Sequence, residues 1–420
     1  MLPFRFDNME KEFFINNRRN VLNKMKDDSL MFIYAGFHQD EGIFKDTYDE
    51  SRNYFYTTGI LEYGNTLVLG RIGGKLIERI YIKRLDIELA KWVGEPLTKE
   101  EVNKISGILD IRYQDQFKNE IKDLIKESKY LYFDIGGEDM TPSRKEFINT
   151  SLKYKREFPD KEILDASKIF MELRTVKNEM ELEYIKKAID ITKIGVENIL
   201  KNIGPLYEYQ LESYFDQAIK YNGATGYSFP TIAASGINST CLHYMENNSK
   251  AKDGDLILFD LGASYNMYCA DISRTFPING KFSPRQRQIY DIVLRGQEAV
   301  LNYARPGLTT KDLNNHLIQF YQRELKRIGK IKKDDEVFKY YYHGVSHHIG
   351  LDCHDLCLYD GLRPNSLISN EPGLYIKEEE IGIRIEDDML ITKNGAILLS
   401  KDIIKDPDEI EKFIKENKKC

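Results

Sequence analysis

Leu256-Ile257-Leu258-Phe259-Asp260-Leu261-Gly262 is the stretch on which the reading of this 420-residue chain turns. It has the near-continuous apolar character of a buried strand, yet it carries an aspartate where an unpaired charge is costly. A second acid, Asp271, stands in the next strand-like segment, Tyr268 to Phe276, after the length of a hairpin return, so the two carboxylates are expected to face each other. Glu371 precedes Pro372-Gly373-Leu374-Tyr375 in a strand expected over Ser369 to Ile376, and Glu386 follows Ile383-Arg384-Ile385 in one expected over Ile381 to Thr392. Arg384 and Glu386, two apart, share a strand face. Any one such acid is ordinarily a turn cap or a solvated edge. Four of them converging in apolar settings would repel and raise their own pKa values unless cations neutralised them. Two divalent ions balance four carboxylates. Oxygen-dominated ligation with one imidazole suits Mn2+, and the same donors also admit Co2+, Zn2+ and Fe2+.

The imidazoles are clustered. Of seven histidines, His343, His347, His348 and His354 fall within twelve positions, in His343-Gly344-Val345-Ser346-His347-His348-Ile349-Gly350-Leu351-Asp352-Cys353-His354. Glycines there let backbone approach a ligand, and histidines offer metal ligation, hydrogen bonding or proton transfer. His243 is a fifth candidate, whereas His38 and His316 are given no role. Cys353 and Cys357 flank His354 in a C-x3-C spacing, but no second cysteine pair follows to complete a zinc site. Five cysteines are too few and too odd a set for a disulfide scaffold and suit a reducing compartment; Cys241, Cys269 and Cys353 read as small buried residues.

Around this centre the chain divides. Before residue 170, strand-like runs at Leu30 to Ala35, Asn65 to Leu69 and Tyr130 to Asp134 alternate with helical ones such as Lys118 to Lys129, which reads as an α/β domain. The pattern changes between Lys168 and Lys177, giving expected domains at 1–170 and 171–420. Beyond it a long amphipathic helix is expected to carry Ile185, Ala188, Ile189, Thr192, Val196, Ile199, Leu200 and Ile203 on one stripe and to stop at Gly204-Pro205. Ser283-Pro284 with Gln286 has the order of an N-cap, a first-turn proline and a capping box, and Thr310 opens a helix with Leu313, Leu317 and Phe320. Helices and strands then come in blocks, so the expected class is α+β. The Lys/Glu-rich stretch at 405–419 reads as one face of a solvated terminal helix. Lysine and arginine number 61 against 67 acids, a net −6 that offers no basic surplus for a nucleic-acid partner. No apolar run reaches the roughly 18 residues that cross a bilayer, and the acidic start MLPFRFDNMEKEFF does not resemble a secretory signal. No membrane association and a cytoplasmic location are expected.

Taken in order, Pro230-Thr231-Ile232-Ala233-Ala234-Ser235-Gly236 with His243-Tyr244, Asp260-Leu261-Gly262, Asp271, His343-Gly-x-Ser-His347, Glu371-Pro372-Gly373 and Arg384-x-Glu386 resemble the Xaa-Pro aminopeptidases (aminopeptidase P). These belong to the pita-bread metallopeptidases, with prolidase and methionine aminopeptidase. Arg52-Asn53-Tyr54-Phe55-Tyr56-Thr57-Thr58-Gly59 and Lys91-Trp92-Val93-Gly94 are similar to segments of that family's creatinase/prolidase-type N-terminal domain. The resemblance implies a pita-bread catalytic domain after a smaller α/β domain that restricts access and supports a homodimer or homotetramer. It implies metal ligation by Asp260, Asp271, His347, Glu371 and Glu386, and cleavage of the bond before a proline at the second position by a metal-bridging hydroxide. Glu371 is then the proton acceptor, and His243 and His354 stabilise the tetrahedral species. His343 meets the proline side of the peptide, and Tyr375 and Arg384 contact substrate or support the site. Ser346 resembles the aminopeptidase form rather than prolidase, the nearest alternative. A metal-free peptide-binding pseudoenzyme, or a creatinase-like hydrolase, would not need all five ligands.

Overall fold

The structure, a computed structural model, describes residues 10–40, 46–136 and 141–417; the side chain of His38 lies outside the described residues. The chain divides into two compact units, Met1–Leu173 and Arg174–Cys420.

The first unit is built on a six-stranded mixed sheet in the order Asp110–Tyr113, Lys75–Ile82, Thr66–Ile72, Ser29–Tyr34, Tyr130–Phe133, Glu162–Asp165. Ser29–Tyr34 runs antiparallel to Thr66–Ile72 and parallel to Tyr130–Phe133. Both its faces are buried, which is why Leu30, Met31, Phe32 and Ile33 form an unbroken apolar run rather than an alternating one. Phe32, Val68, Leu131 and Phe133 pack against Ile121 and Ile125 of the helix Gln114–Glu127. That helix starts four residues before the expected Lys118, because Gln116 caps the Tyr113 backbone N–H and so admits a polar first turn that carries no apolar periodicity. Arg52–Thr58 is a short helix closed by Gly59 at φ 72°, a left-handed value that glycine adopts at little cost.

The second unit opens with the helix Glu179–Lys201, capped reciprocally by Asn178 and Glu181; such a cap contributes about 1 kcal/mol. It packs on Glu208–Tyr221, and Gly195 permits the close approach: a Cβ there would lie 2.3 Å from the Phe215 ring. A second packed pair follows, Pro284–Tyr303 with its Ser283 cap and Thr310–Arg327. In the latter the cap is Thr309 rather than Thr310, and Phe320 is only half-buried. The sheets between are small. Leu256–Leu261 is the central strand of one, between Ile232–Ser235 and Ile272–Pro277, and Asp260 lies opposite Ser273. Helices and strands in blocks make this unit α+β.

Three expected strands are each two. Tyr268 to Phe276 splits into Tyr268–Cys269 and Ile272–Pro277, Ser369 to Ile376 into Leu367–Asn370 and Gly373–Ile376, and Ile381 to Thr392 into Ile381–Arg384 and Asp387–Ile391. In each case the two pieces pair within different sheets. Asp271, Glu371 and Glu386 sit in the three breaks, where the chain passes from one sheet to the next. Gly262 helps to hold the first break in place, since a Cβ on it would lie 1.9 Å from the Ala270 carbonyl oxygen.

Candidate active site

The strand breaks deliver their acids to one cavity of about 630 Å3 in the second unit. Its wall includes Asp260, Asp271, His347, Glu371 and Glu386, together with His243, His343, His354 and Arg384. Of the site residues that the resemblance implies, Tyr375 stands behind this wall, buried, with its hydroxyl on Arg384 and His343. His348 points away: it is buried in the same segment and lines no part of the cavity.

Asp271, His347 and Glu386 each bring a ligand-type atom within 4.8 Å of the other two, a group that can hold a metal ion. His347 Nε2 is 3.3 Å from Asp271 Oδ2 and 3.4 Å from Glu371 Oε1. Asp260 completes the ring of carboxylates, but Arg384 Nη2 donates to its Oδ2 at 2.5 Å, so the guanidinium pairs with Asp260 and not with Glu386. The Oδ1 of Asp260 is buried without a hydrogen-bond partner.

The electrostatics are those of a site short of positive charge. Burial, then the field of Asp271, raises the Asp260 carboxyl above its ordinary value despite Arg384. Burial raises Glu371 to about 7 against the opposing charges of His347 and Arg384. Glu386 is pushed well above the carboxylate range by burial and by its acidic neighbours. Burial disfavours the imidazolium of His347, but its hydrogen bond to Asp271 and the charges of Glu371 and Asp271 carry it up to about 9. Without a cation, therefore, the cluster takes up protons instead. Arg384 offsets only one of four carboxylates, and the donor set of carboxylate oxygens and one imidazole nitrogen fits a hard or borderline divalent ion.

Behind the acids lies a hydrogen-bonded frame that the sequence reading missed. The Ser273 hydroxyl accepts from Arg384 Nε at 2.7 Å and donates to Glu386 Oε2 at 2.7 Å. The Ser369 hydroxyl accepts from the His347 backbone N–H and donates to Glu371 Oε1. Each serine stands two residues before or after an acid of the site, the period of a strand face, and that spacing was the available signal. Arg384 Nη1 also donates to the Tyr375 hydroxyl at 3.1 Å, and that hydroxyl lies 2.9 Å from His343 Nε2. Because His343 Nδ1 faces the Gly344 carbonyl oxygen at 2.7 Å, Nδ1 must carry the proton and Nε2 accepts from Tyr375. Burial and the nearby guanidinium lower His343 to about 4, which keeps the ring neutral.

Cys269 is buried as expected, but two cysteines depart from expectation. Cys241 is exposed, in the loop that carries His243, and Cys353 is half-buried on the cavity wall, its thiol donating to Asp271 Oδ2 at 2.9 Å. Cys357 is buried and joins no metal group among the described residues. Asp355, between them, is instead locked to Arg174 and Lys177. Lys405 likewise leaves the expected solvated face, its Nζ donating to Gln297 and Asp387 behind Glu386.

Residues 183–393 match the profile of metallopeptidase family M24, and residues 14–132 that of the aminopeptidase P N-terminal domain. The Xaa-Pro aminopeptidase of Escherichia coli K12 is 29% identical over 96% of this chain and 97% of its own. A solved chain from Bacillus anthracis, provisionally described as an aminopeptidase P, is 40% identical with a TM-score of 0.94, covering 98% of this chain and 99% of that one. The Escherichia coli aminopeptidase P solved with the inhibitor Pro-Leu is 28% identical with a TM-score of 0.90, over 98% and 99% of the two chains.

Proposed function

The chain belongs to metallopeptidase family M24, and from that premise we propose that it is an Xaa-Pro aminopeptidase, releasing the first residue of peptides with proline second. The observation that carries this is the convergence of four carboxylates and one imidazole, from five separate segments, on one cavity that also presents three further histidines. Asp260, Asp271, His347, Glu371 and Glu386 would hold two divalent ions, Mn2+ being the best match to four carboxylates and one imidazole. Such a pair, when bound, supplies the Lewis acidity that makes water a nucleophile near neutral pH and polarises a carbonyl.

The chain's own groups do the rest. Glu371 takes the proton of the attacking water; its Oε1 is steered by Ser369, and its intrinsic basicity is already raised by burial. His243 and His354, exposed on the cavity wall, donate to the tetrahedral species, and such donors count most where water is excluded. With both nitrogens of His343 engaged, this residue offers substrate a rigid, neutral ring face. That suits a proline ring, which has no N–H to recognise. Arg384 and Tyr375 hold that ring and Asp260 in one frame.

The first unit restricts access to the site and supports a homodimer or homotetramer. Its helix Ile87–Val93 buries none of its residues and leaves Trp92 85% exposed, beside Ile87 and Leu89. Light scattering on the intact chain and on a Trp92→Ser variant tests this, since an unchanged mass rejects the role. No helix among the described residues is long and apolar enough to cross a membrane, and the described cysteines are free, which favours a cytoplasmic location.

The deciding assay compares Xaa-Pro dipeptides with Xaa-Pro-Yaa-Zaa peptides on metal-loaded protein. Release of the first residue from the longer peptides, abolished in Glu371→Gln, is expected. Turnover of dipeptides alone would make the protein a prolidase instead.

A further inference from the structure

We propose that Glu208, outside the cavity and on a different element from every residue of the site, is the positioning residue for His243, a role that rests on the function proposed above. Glu208 is the first residue of the helix Glu208–Tyr221, where the unpaired backbone N–H groups favour a carboxylate. It is fully buried, and no cation pairs with it among the described salt bridges. Five neutral donors take that place. Oε1 accepts from the Ser235 backbone N–H at 2.7 Å, the Ser235 hydroxyl at 2.8 Å and Asn238 Nδ2 at 3.1 Å. Oε2 accepts from the Tyr244 hydroxyl and the Ser249 backbone N–H, both at 2.8 Å. The Glu208 backbone N–H returns a bond to the Ser249 carbonyl oxygen at 2.9 Å.

All five donors belong to the single segment 235–249, and they grip it at its start, its middle and its end. Leu242, His243 and Met245 of that segment line the cavity. Leu242 is half-buried and the other two are exposed, so few contacts of their own fix their positions. Tyr244, the neighbour of His243, is turned the other way and packs on Ile232 and Ala234. Adjacent residues thus face opposite sides: tethering Tyr244 to Glu208 sets the backbone from which His243 projects into the cavity. A catalytic imidazole on an exposed loop has value only if its direction is fixed, and misplacement by about 1 Å can cost about a hundredfold. The carboxylate is specifically required. Each oxygen receives a backbone N–H, so an amide, whichever way it is turned, sets its NH2 against one of them.

The test is a double-mutant cycle of Glu208→Gln with His243→Ala, assayed for kcat and KM on Ala-Pro-Ala with Mn2+, together with amide hydrogen exchange over residues 236–249. If Glu208 acts through His243, Glu208→Gln lowers kcat by about tenfold or more and exchange in the segment quickens. Adding it to His243→Ala then causes little further loss. Multiplicative losses, or unchanged exchange and unchanged kcat, overturn the proposal. A full-speed His243→Ala enzyme would instead overturn the catalytic role of His243, while the exchange data would still report on the tether. If Glu208→Gln does not fold, Tyr244→Phe, which removes one donor, goes through the same cycle with the same outcomes.

Discussion

Lys177→Met probes a deeply buried charge cluster beside the segment that carries His354. Lys177 Nζ donates to Asp355 Oδ2 at 2.7 Å, Arg174 holds the other Asp355 oxygen, and the three side chains are between 1% and 2% exposed. Gly350 makes room for the arrangement: a Cβ there would sit 2.1 Å from Asp355 Oδ2 and 2.8 Å from Lys177 Nζ. Methionine keeps the bulk but removes one of the two cations that compensate Asp355. Breaking a buried pair in this way costs about 3–5 kcal/mol, and the surviving Arg174 contact places this case near the lower end. For a unit of this size each kcal/mol lowers Tm by about 2–4 °C, so differential scanning calorimetry should register a fall of about 6–12 °C. The pH dependence has a definite sign. Burial pushes the Asp355 carboxyl up, but Arg174 and Lys177 more than offset it and leave it below the ordinary value. Its contribution is therefore fully present above the unfolded carboxyl pKa of about 4 and is lost as pH falls through the folded value. The Tm gap between wild type and variant should be constant from about pH 8 to pH 5 and close only in stronger acid. Combining Lys177→Met with Asp355→Asn should restore part of the loss, because no unpaired carboxylate remains. A fall under about 2 °C, or a gap that closes on approaching neutrality, would refute the reasoning.

Tyr375→Phe removes the hydroxyl between His343 and Arg384 and should lower kcat/KM by about tenfold and Tm by about 2–12 °C, the cost of leaving buried polar groups without that partner; steady-state kinetics beside calorimetry checks both. Gly262→Ala forces a methyl against the Ala270 carbonyl at 1.9 Å and should displace Asp271, so metal content after dialysis, measured by atomic emission, should fall. In metal-free protein Glu371 titrates at about 7 and His347 at about 9. Bound protons compete with the ion below those values, so calorimetric Mn2+ affinity should rise from pH 6 to pH 9 with proton release; a flat profile would contradict the charge-deficient site.

The chemistry of the site was legible because acids in apolar runs and a histidine cluster are composition anomalies that survive any error in element boundaries. The breaks were not. From Tyr268 to Pro277 every residue is buried, so hydrophobic alternation does not mark where Cys269 leaves one sheet and Ile272 joins another, and Asp271 is the one turn-type residue between them. The same holds around Glu386, with Ile385 and Asp387 both buried. Asp387, next to Glu386 in the sequence, is a partner of Arg274 and Lys405; nothing local to the sequence brings Lys405 there. The exposure of Cys241 follows from the loop that Glu208 organises, a contact across 36 positions at Tyr244 that no sequence window contains.

Because Asp271, Glu371 and Glu386 occupy the seams where one sheet hands over to another, the cluster of acids forms only when several sheets have docked. A chain still being translated, with Glu386 not yet emerged from the ribosome, lacks one of the three side chains that form the candidate metal group. Ion binding by this cluster would thereby belong to the folded unit and to no single segment of it.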